Sequence, residues 1–261
     1  SAYASPWWLF HVNSVIGSFG DDSPHGRVPA PVYRESYTTA RDYYNLQGAD
    51  RFPSPIAAQE ILGIIHQSPD DFLNDAVVTV LRGHAFLPLY INPAYMNARR
   101  WKSLAELLRW ARANAALLTG RPTQPIRPET WEQGETPWLS HDAAMPREAY
   151  GYAHWHENGG LVLLRNPWIM PQVFSLVLAR GSDAIQTTEP LNIISIYPEN
   201  RIYAAGVSMD ESIPIALAPY ETVLLSITPE MPSPEPVSAT ERIGRSIVVE
   251  EKEGCVERVV F

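Results

Sequence analysis

The run Phe86–Leu118, "FLPLYINPAYMNARRWKSLAELLRWARANAALL", decides how the chain is read. Apolar residues up to Ile91 suggest a strand. Asn92 and Pro93 suggest a turn, and Trp101, Leu104, Leu108, Ala111, Ala115 and Leu118 then recur at helical spacing. A strand that releases its chain directly into an amphipathic helix is the grammar of an α/β layer or barrel. In such folds polar loops at the carboxyl ends of the strands hold the chemistry.

Upstream, "WWLFHVNSV" has strand length. "SPIAAQEILGIIHQ" and "SPDDFLNDAVVTVLRG" both open on Ser-Pro, where Ser54 or Ser68 can cap a helix whose first residue is proline. Both are expected to start helices, the second stopping at Gly83. Residues 1–120 are therefore expected to be α/β, and a Pro-rich connector follows over 121–148. From 149 to 229 the short runs "AYGYAHWH", "GLVLLRNP", "QVFSLVLA", "LNIISIYP", "SIPIALAP" and "YETVLLSITP" are rich in β-branched and aromatic residues. With no helix between them, they predict an antiparallel β-sandwich. Residues 230–261 read as a linker and a terminal β-hairpin, which could belong to a truncated further domain.

Composition narrows the function. The chain has 261 residues, is 45% hydrophobic and carries a formal charge of -9, so it can bury a sizeable core and offers little to a nucleic-acid backbone. No apolar run reaches the roughly 18 residues that a bilayer span needs. The single Cys255 excludes an internal disulfide and a cysteine-based zinc cluster. No phosphate loop, dinucleotide fingerprint or serine elbow can be matched, so no cofactor is expected. The compartment stays open. Secretion or the periplasm would follow if a leader preceded Ser1.

"LPLYINPAYMNARRWKSLAELLRWARANAALL", "YGYAHWHENGGLVLLRNP", "IISIYPENRIY" and "IPIALAPYETVLLSITP" together resemble the closing part of an α-galactosidase-like glycoside hydrolase. In that clan a (β/α)8 barrel is followed by a β-sandwich. The resemblance covers most of residues 5–229 and implies the last βα units of a barrel joined to the sandwich. A complete barrel needs about 250 residues. The expectation is therefore a chain that holds the end of the barrel, with the nucleophilic aspartate upstream of Ser1, and that is inactive alone. The implied partner is an oligo- or polysaccharide, and an open barrel edge predicts self-association into a homo-oligomer.

Glycoside hydrolysis needs two carboxyl groups flanking the bond. The candidates are Asp21 and Asp22 in "FGDDSPHG", where adjacent carboxylates repel and one can hold its proton unusually high. An Asp-rich turn capping backbone amides is the competing reading. Glu35 and Asp42 are rival carboxylates, with Arg34 and Arg41 beside them as structural ion-pair partners. Sugar rings stack on aromatic faces, which nominates Trp7, Tyr90 and Tyr95 for substrate binding, a packed core being the alternative for Trp7. His11 and Asn13 at the end of the first strand, and Asn92 at the release point, could bind hydroxyl groups. His154 and His156 share a strand face, a geometry open to zinc or copper, but the sequence places no third ligand and surface or interface residues are the alternative. Besides the hydrolase, a noncatalytic carbohydrate-binding or scaffold protein fits the same platforms.

Overall fold

The computed structural model describes residues 72–84, 86–87, 89, 91, 93–121, 123–128, 147–179 and 184–230, together with 7, 10–11, 15–17, 39, 42, 56–59, 248–252 and 255–260. Antiparallel sheet dominates. β4 (Tyr150–His156), β5 (Gly159–Arg165), β7 (Leu191–Tyr197), β8 (Arg201–Val207) and β10 (Thr222–Thr228) join β3 (Gln124–Ile126) in a six-stranded sheet of order β3-β4-β5-β10-β7-β8. β6 (Gln172–Val177) and β9 (Ser212–Leu217) form a separate antiparallel pair, as do β11 (Val248–Lys252) and β12 (Cys255–Val260).

Side-chain alternation explains why β5 is buried at all seven positions. Leu161 and Leu163 face one apolar cluster with α1 (Phe72–Leu81) and α2 (Ala98–Ala113), whereas Val162 and Leu164 face a second cluster with Leu176 of β6 and Ile213, Ile215 and Leu217 of β9. β10 repeats the division, with Leu224 toward the helices and Val223, Leu225 and Ile227 toward β6 and β9. The large sheet is thus covered on both faces. Each leucine fully buried there contributes about 1.5–3 kcal/mol.

α1 is buried almost throughout and ends where expected. Gly83 adopts φ +75°, and a Cβ at this position would run into the Thr123 hydroxyl, the His154 ring and the Leu118 carbonyl. α2 begins at Asn97, whose side chain accepts from the Arg100 amide at 2.9 Å, and a short α3 (Ala115–Leu118) follows it. Leu104 and Leu118 are the fully buried anchors of α2 and α3.

Several expectations are corrected. Ile56–Gln59 is a strand, β2, not a helix start. It pairs in parallel with β1 (Val15–Gly17). The first strand begins at Val15 rather than Trp7, so Trp7 and Phe10 lie in 3-10 turns and His11 in a turn ahead of it. His11 therefore does not end a strand. The described residues between Phe86 and Ile91 form no strand, and Pro93–Tyr95 is a 3-10 turn. The expected connector contributes β3, and β8 is a strand that the apolar runs did not announce. β1 and β2 form one parallel pair among the described residues.

Candidate functional site

Two polar clusters organise the described part of the molecule. The first lies between the helices and the sheet. Thr39 and Asp42, both helical, are completely buried. Arg82, one residue beyond α1, donates from Nε to Asp42 Oδ1 at 2.9 Å and from Nη2 to Oδ2 at 3.3 Å. The Tyr150 hydroxyl donates to Asp42 Oδ2 at 2.6 Å and the Tyr152 hydroxyl to Oδ1 at 2.8 Å. Burial, the largest influence on Arg82, opposes its charge, but Asp42 and the tyrosine hydroxyl groups outweigh it and raise its pKa. Burial also pushes both tyrosines well above their ordinary range. Four donors thus converge on one carboxylate. Such an arrangement tolerates a buried charge and leaves no oxygen free for proton transfer to a substrate. Asp42 forms a structural ion pair, as the sequence suggested, and its partner among the described residues is Arg82.

His154 stands beside this cluster, fully buried, with Nε2 at 2.8 Å from the Leu81 carbonyl oxygen. Burial lowers its pKa, against the opposing pull of the Leu81 and Leu117 carbonyls. Its neighbour on the same strand face, His156, is half-buried near Arg121 and Glu157. The "HWH" motif thus ties β4 to the end of α1, and the interface reading of His154 holds. Among the described residues no group of three metal-ligating side chains occurs.

The second cluster gathers the motifs that carried the resemblance. In "LRNP", buried Asn166 uses its whole amide. Nδ2 donates to the Met170 carbonyl at 2.9 Å and the Ala218 carbonyl at 2.8 Å, while Oδ1 accepts from the Trp168 amide at 2.9 Å and Gln172 Nε2 at 2.6 Å. The turn in "LAPYETVLL" answers it. Tyr220, at φ +57°, donates its amide to the Trp168 carbonyl at 3.1 Å, and the Asn166 amide reaches the Glu221 carbonyl at 2.8 Å. The Arg147 guanidinium stacks over Trp168 at 4.0 Å. The spacing of these two motifs therefore reflects one tie between the β5–β6 and β9–β10 connections.

Of the nominated site residues, Trp7 is 73% exposed and its ring stacks on Phe10, itself 78% exposed, with centroids 6.2 Å apart and planes at 27°. The core alternative for Trp7 is overturned. His11 is exposed as well. Tyr95 has its backbone in the 3-10 turn that leads into α2. Asp21, Asp22, Glu35, Asn13, Tyr90 and Asn92 lie outside the described residues. Asn97, which a barrel rim would have turned toward substrate, spends its side chain on capping α2. The Asn166 and Asp42 hubs were not foreseen as hubs, although a polar residue directly after an apolar strand, as Asn166 is, signals such a role.

No family model matches the chain, and no curated protein matches it. Among solved structures the chain is similar, at low identity and over part of their length, to three. One is a Bacillus halodurans C-125 protein assigned as an α-N-acetylgalactosaminidase, at 11% identity over 81% of this chain and 48% of that one, with a TM-score of 0.47. Another is a Bacteroides fragilis NCTC 9343 protein assigned as an α-galactosidase/melibiase, at 10% identity over 67% of this chain and 34% of that one, with a TM-score of 0.38. AmyP in complex with maltose is a third, at 11% identity, 81% and 37% coverage and a TM-score of 0.35. The chain spans about half the length of the first of these, 48%.

Proposed function

We propose that this chain is part of a carbohydrate-active protein of the glycoside-hydrolase type, the end of a barrel-like α/β part built onto a β-sandwich, with an O-glycosyl bond as its target. The observation that carries the reading is the Asn166 tie: two motifs about 50 residues apart, named for their likeness to that clan, meet in one hydrogen-bonded unit. The exposed Trp7–Phe10 pair supports a carbohydrate partner, because the apolar C–H face of a sugar covers such rings without desolvating charge.

In this reading Asp21 or Asp22 supplies the general acid or base, with Glu35 as the rival carboxylate. Trp7, His11, Asn13, Tyr90, Asn92 and Tyr95 hold the sugar. The geometry required is a pair of carboxyl groups about 5–10 Å apart across the bond, one donating a proton to the leaving oxygen.

The test is calorimetric titration with neutral α- and β-linked oligosaccharides. Binding is expected, weakened about tenfold in Trp7→Ala, which is about 1.4 kcal/mol. A folded protein that binds none of them would overturn the reading. Binding by the full-length protein that contains this chain, without any turnover there, would transfer it to the noncatalytic alternative.

A further inference from the structure

β6 is an edge strand, paired with β9 and with no other strand among the described residues. An open edge presents a row of unpaired amides and carbonyls, which proteins blunt with proline, charge or a bulge. The other edges of the six-stranded sheet and of the β6–β9 pair are blunted in this way. β3 carries Pro125, β9 carries Pro214, and β8 opens on the exposed Arg201 and meets β7 through shifts of register. β6 has none of these devices. Its register with β9 runs without a shift, and residues 168–179 contain no Asp, Glu, Lys or Arg, although the chain carries a charge of -9.

The ladder to β9 fixes which groups face outward. Pro214 lies opposite Ser175 and has no N–H, so this pair takes the non-hydrogen-bonded position and turns the Ser175 backbone to the free edge. Val173 and Val177, two residues to either side, turn the same way. Gln172 is already spent on the Ala149 amide and the Arg147 carbonyl, which limits the free edge to residues 173–177. These five read alike in both directions: valine at each end, Phe174 and Leu176 inside, serine at the centre. Val173 is 67% exposed, and on the inner side Leu176 is buried whereas Phe174 is only partly so.

We propose that β6 pairs with the β6 of a second copy, antiparallel about a two-fold axis at Ser175, and so joins two strand pairs into one four-stranded sheet. Ser175 then meets the partner's Ser175, and Val173 meets the partner's Val177. Every outward amide and carbonyl of these three residues is satisfied, by about six hydrogen bonds in all. Phe174 is covered by the partner's Leu176. The terminal hairpin fits this edge less well, because its strands carry Glu250, Glu251, Lys252, Glu257 and Arg258 and the edge offers no charge to pair them. The contact is small beside the roughly 800 Å2 per partner of a standard interface, so the dimer is reversible, with a Kd of about 1–100 μM. Self-association is thereby placed at β6 rather than at a barrel edge, independently of the carbohydrate reading.

The experiment is sedimentation equilibrium of the full-length protein that contains this chain, over about 1–500 μM, together with oxidative cross-linking. Wild type should pass from monomer to dimer. Val173→Lys should weaken the dimer at least about tenfold, because it brings charge to the edge, and Ser175→Pro, which removes the outward amide at the axis, should do the same. Ala216→Lys, on β9 opposite Val173, should leave the dimer intact. Val173 and Ala216 are exposed, and circular dichroism checks that their variants fold. With Cys255→Ser, the Ser175→Cys variant should form a disulfide across the axis, where Cα atoms about 5.5 Å apart suit one. Val173→Cys, roughly 13 Å from its own counterpart, should not. A wild type that stays monomeric, or a Val173→Lys variant that pairs as tightly as wild type, would overturn the proposal. Equal loss in Ala216→Lys would overturn it too, as the sign of stacked faces rather than joined edges. An intramolecular disulfide between Ser175→Cys and a retained Cys255 would give the edge to the terminal hairpin and overturn it as well.

Discussion

At the scale of single residues, the described interior is governed by charges and amides that the sequence shows only as letters. Asp42 meets Arg82, 40 positions away, and tyrosines 108 and 110 positions away, so no local pattern could pair them. Truncating it strands a buried guanidinium. Asp42→Ala should therefore cost about 3–5 kcal/mol in denaturant unfolding, and Tyr150→Phe, which removes one hydrogen bond to a charge, about 1.5–3 kcal/mol. His154 gives a pH signature. Its folded pKa lies below the ordinary value near 6.5, so the unfolded chain binds the extra proton and stability falls as pH drops below about 6.5. Urea midpoints between pH 5 and 8 should show that slope, and it should be reduced in His154→Gln. An unchanged slope would mean that other groups set it.

At the scale of elements, the strands of the large sheet were legible because their runs of Val, Leu, Ile and aromatic residues are bounded by Gly, Pro and Asn. β8 was not, since an edge strand reading Arg201-Ile202-Tyr203-Ala204-Ala205-Gly206 is only partly buried and lacks the apolar run. β3 hid in a proline-rich stretch. β2, with two alanines after Ser-Pro, looked helical locally and was decided by pairing with β1. Between Phe86 and Ile91, Pro88 removes a ladder donor that the periodicity did not weigh. Of the site, the exposed Trp7 could be nominated by chemistry but not oriented by alternation. Gly83 was correctly read as the helix stop, and its left-handed backbone makes a sharp prediction. Gly83→Ala adds a Cβ against the Leu118 carbonyl and the His154 ring, and should destabilise the protein by about 2–4 kcal/mol in thermal or chemical unfolding. A loss below about 1 kcal/mol would mean that α1, α3 and β4 meet less tightly than described.

At the scale of the whole molecule, one sheet serves two cores. Helices cover one face and the β6–β9 pair the other, and the tie that joins the resembling motifs lies at the ends of strands. We propose the aromatic pair near the amino end as a carbohydrate surface and Asp21, Asp22 or Glu35 as the catalytic carboxylates. Turnover of aryl α- and β-glycosides in 18O-labelled water by the full-length protein that contains this chain asks most directly whether a glycosidic carbon–oxygen bond is cleaved. The account predicts that the full-length protein releases a phenol that keeps its own unlabelled oxygen from at least one glycoside, slowed at least about a hundredfold in Asp21→Asn, Asp22→Asn or Glu35→Gln. No release from any glycoside by the folded full-length protein, or unchanged rates in all three variants, would contradict it.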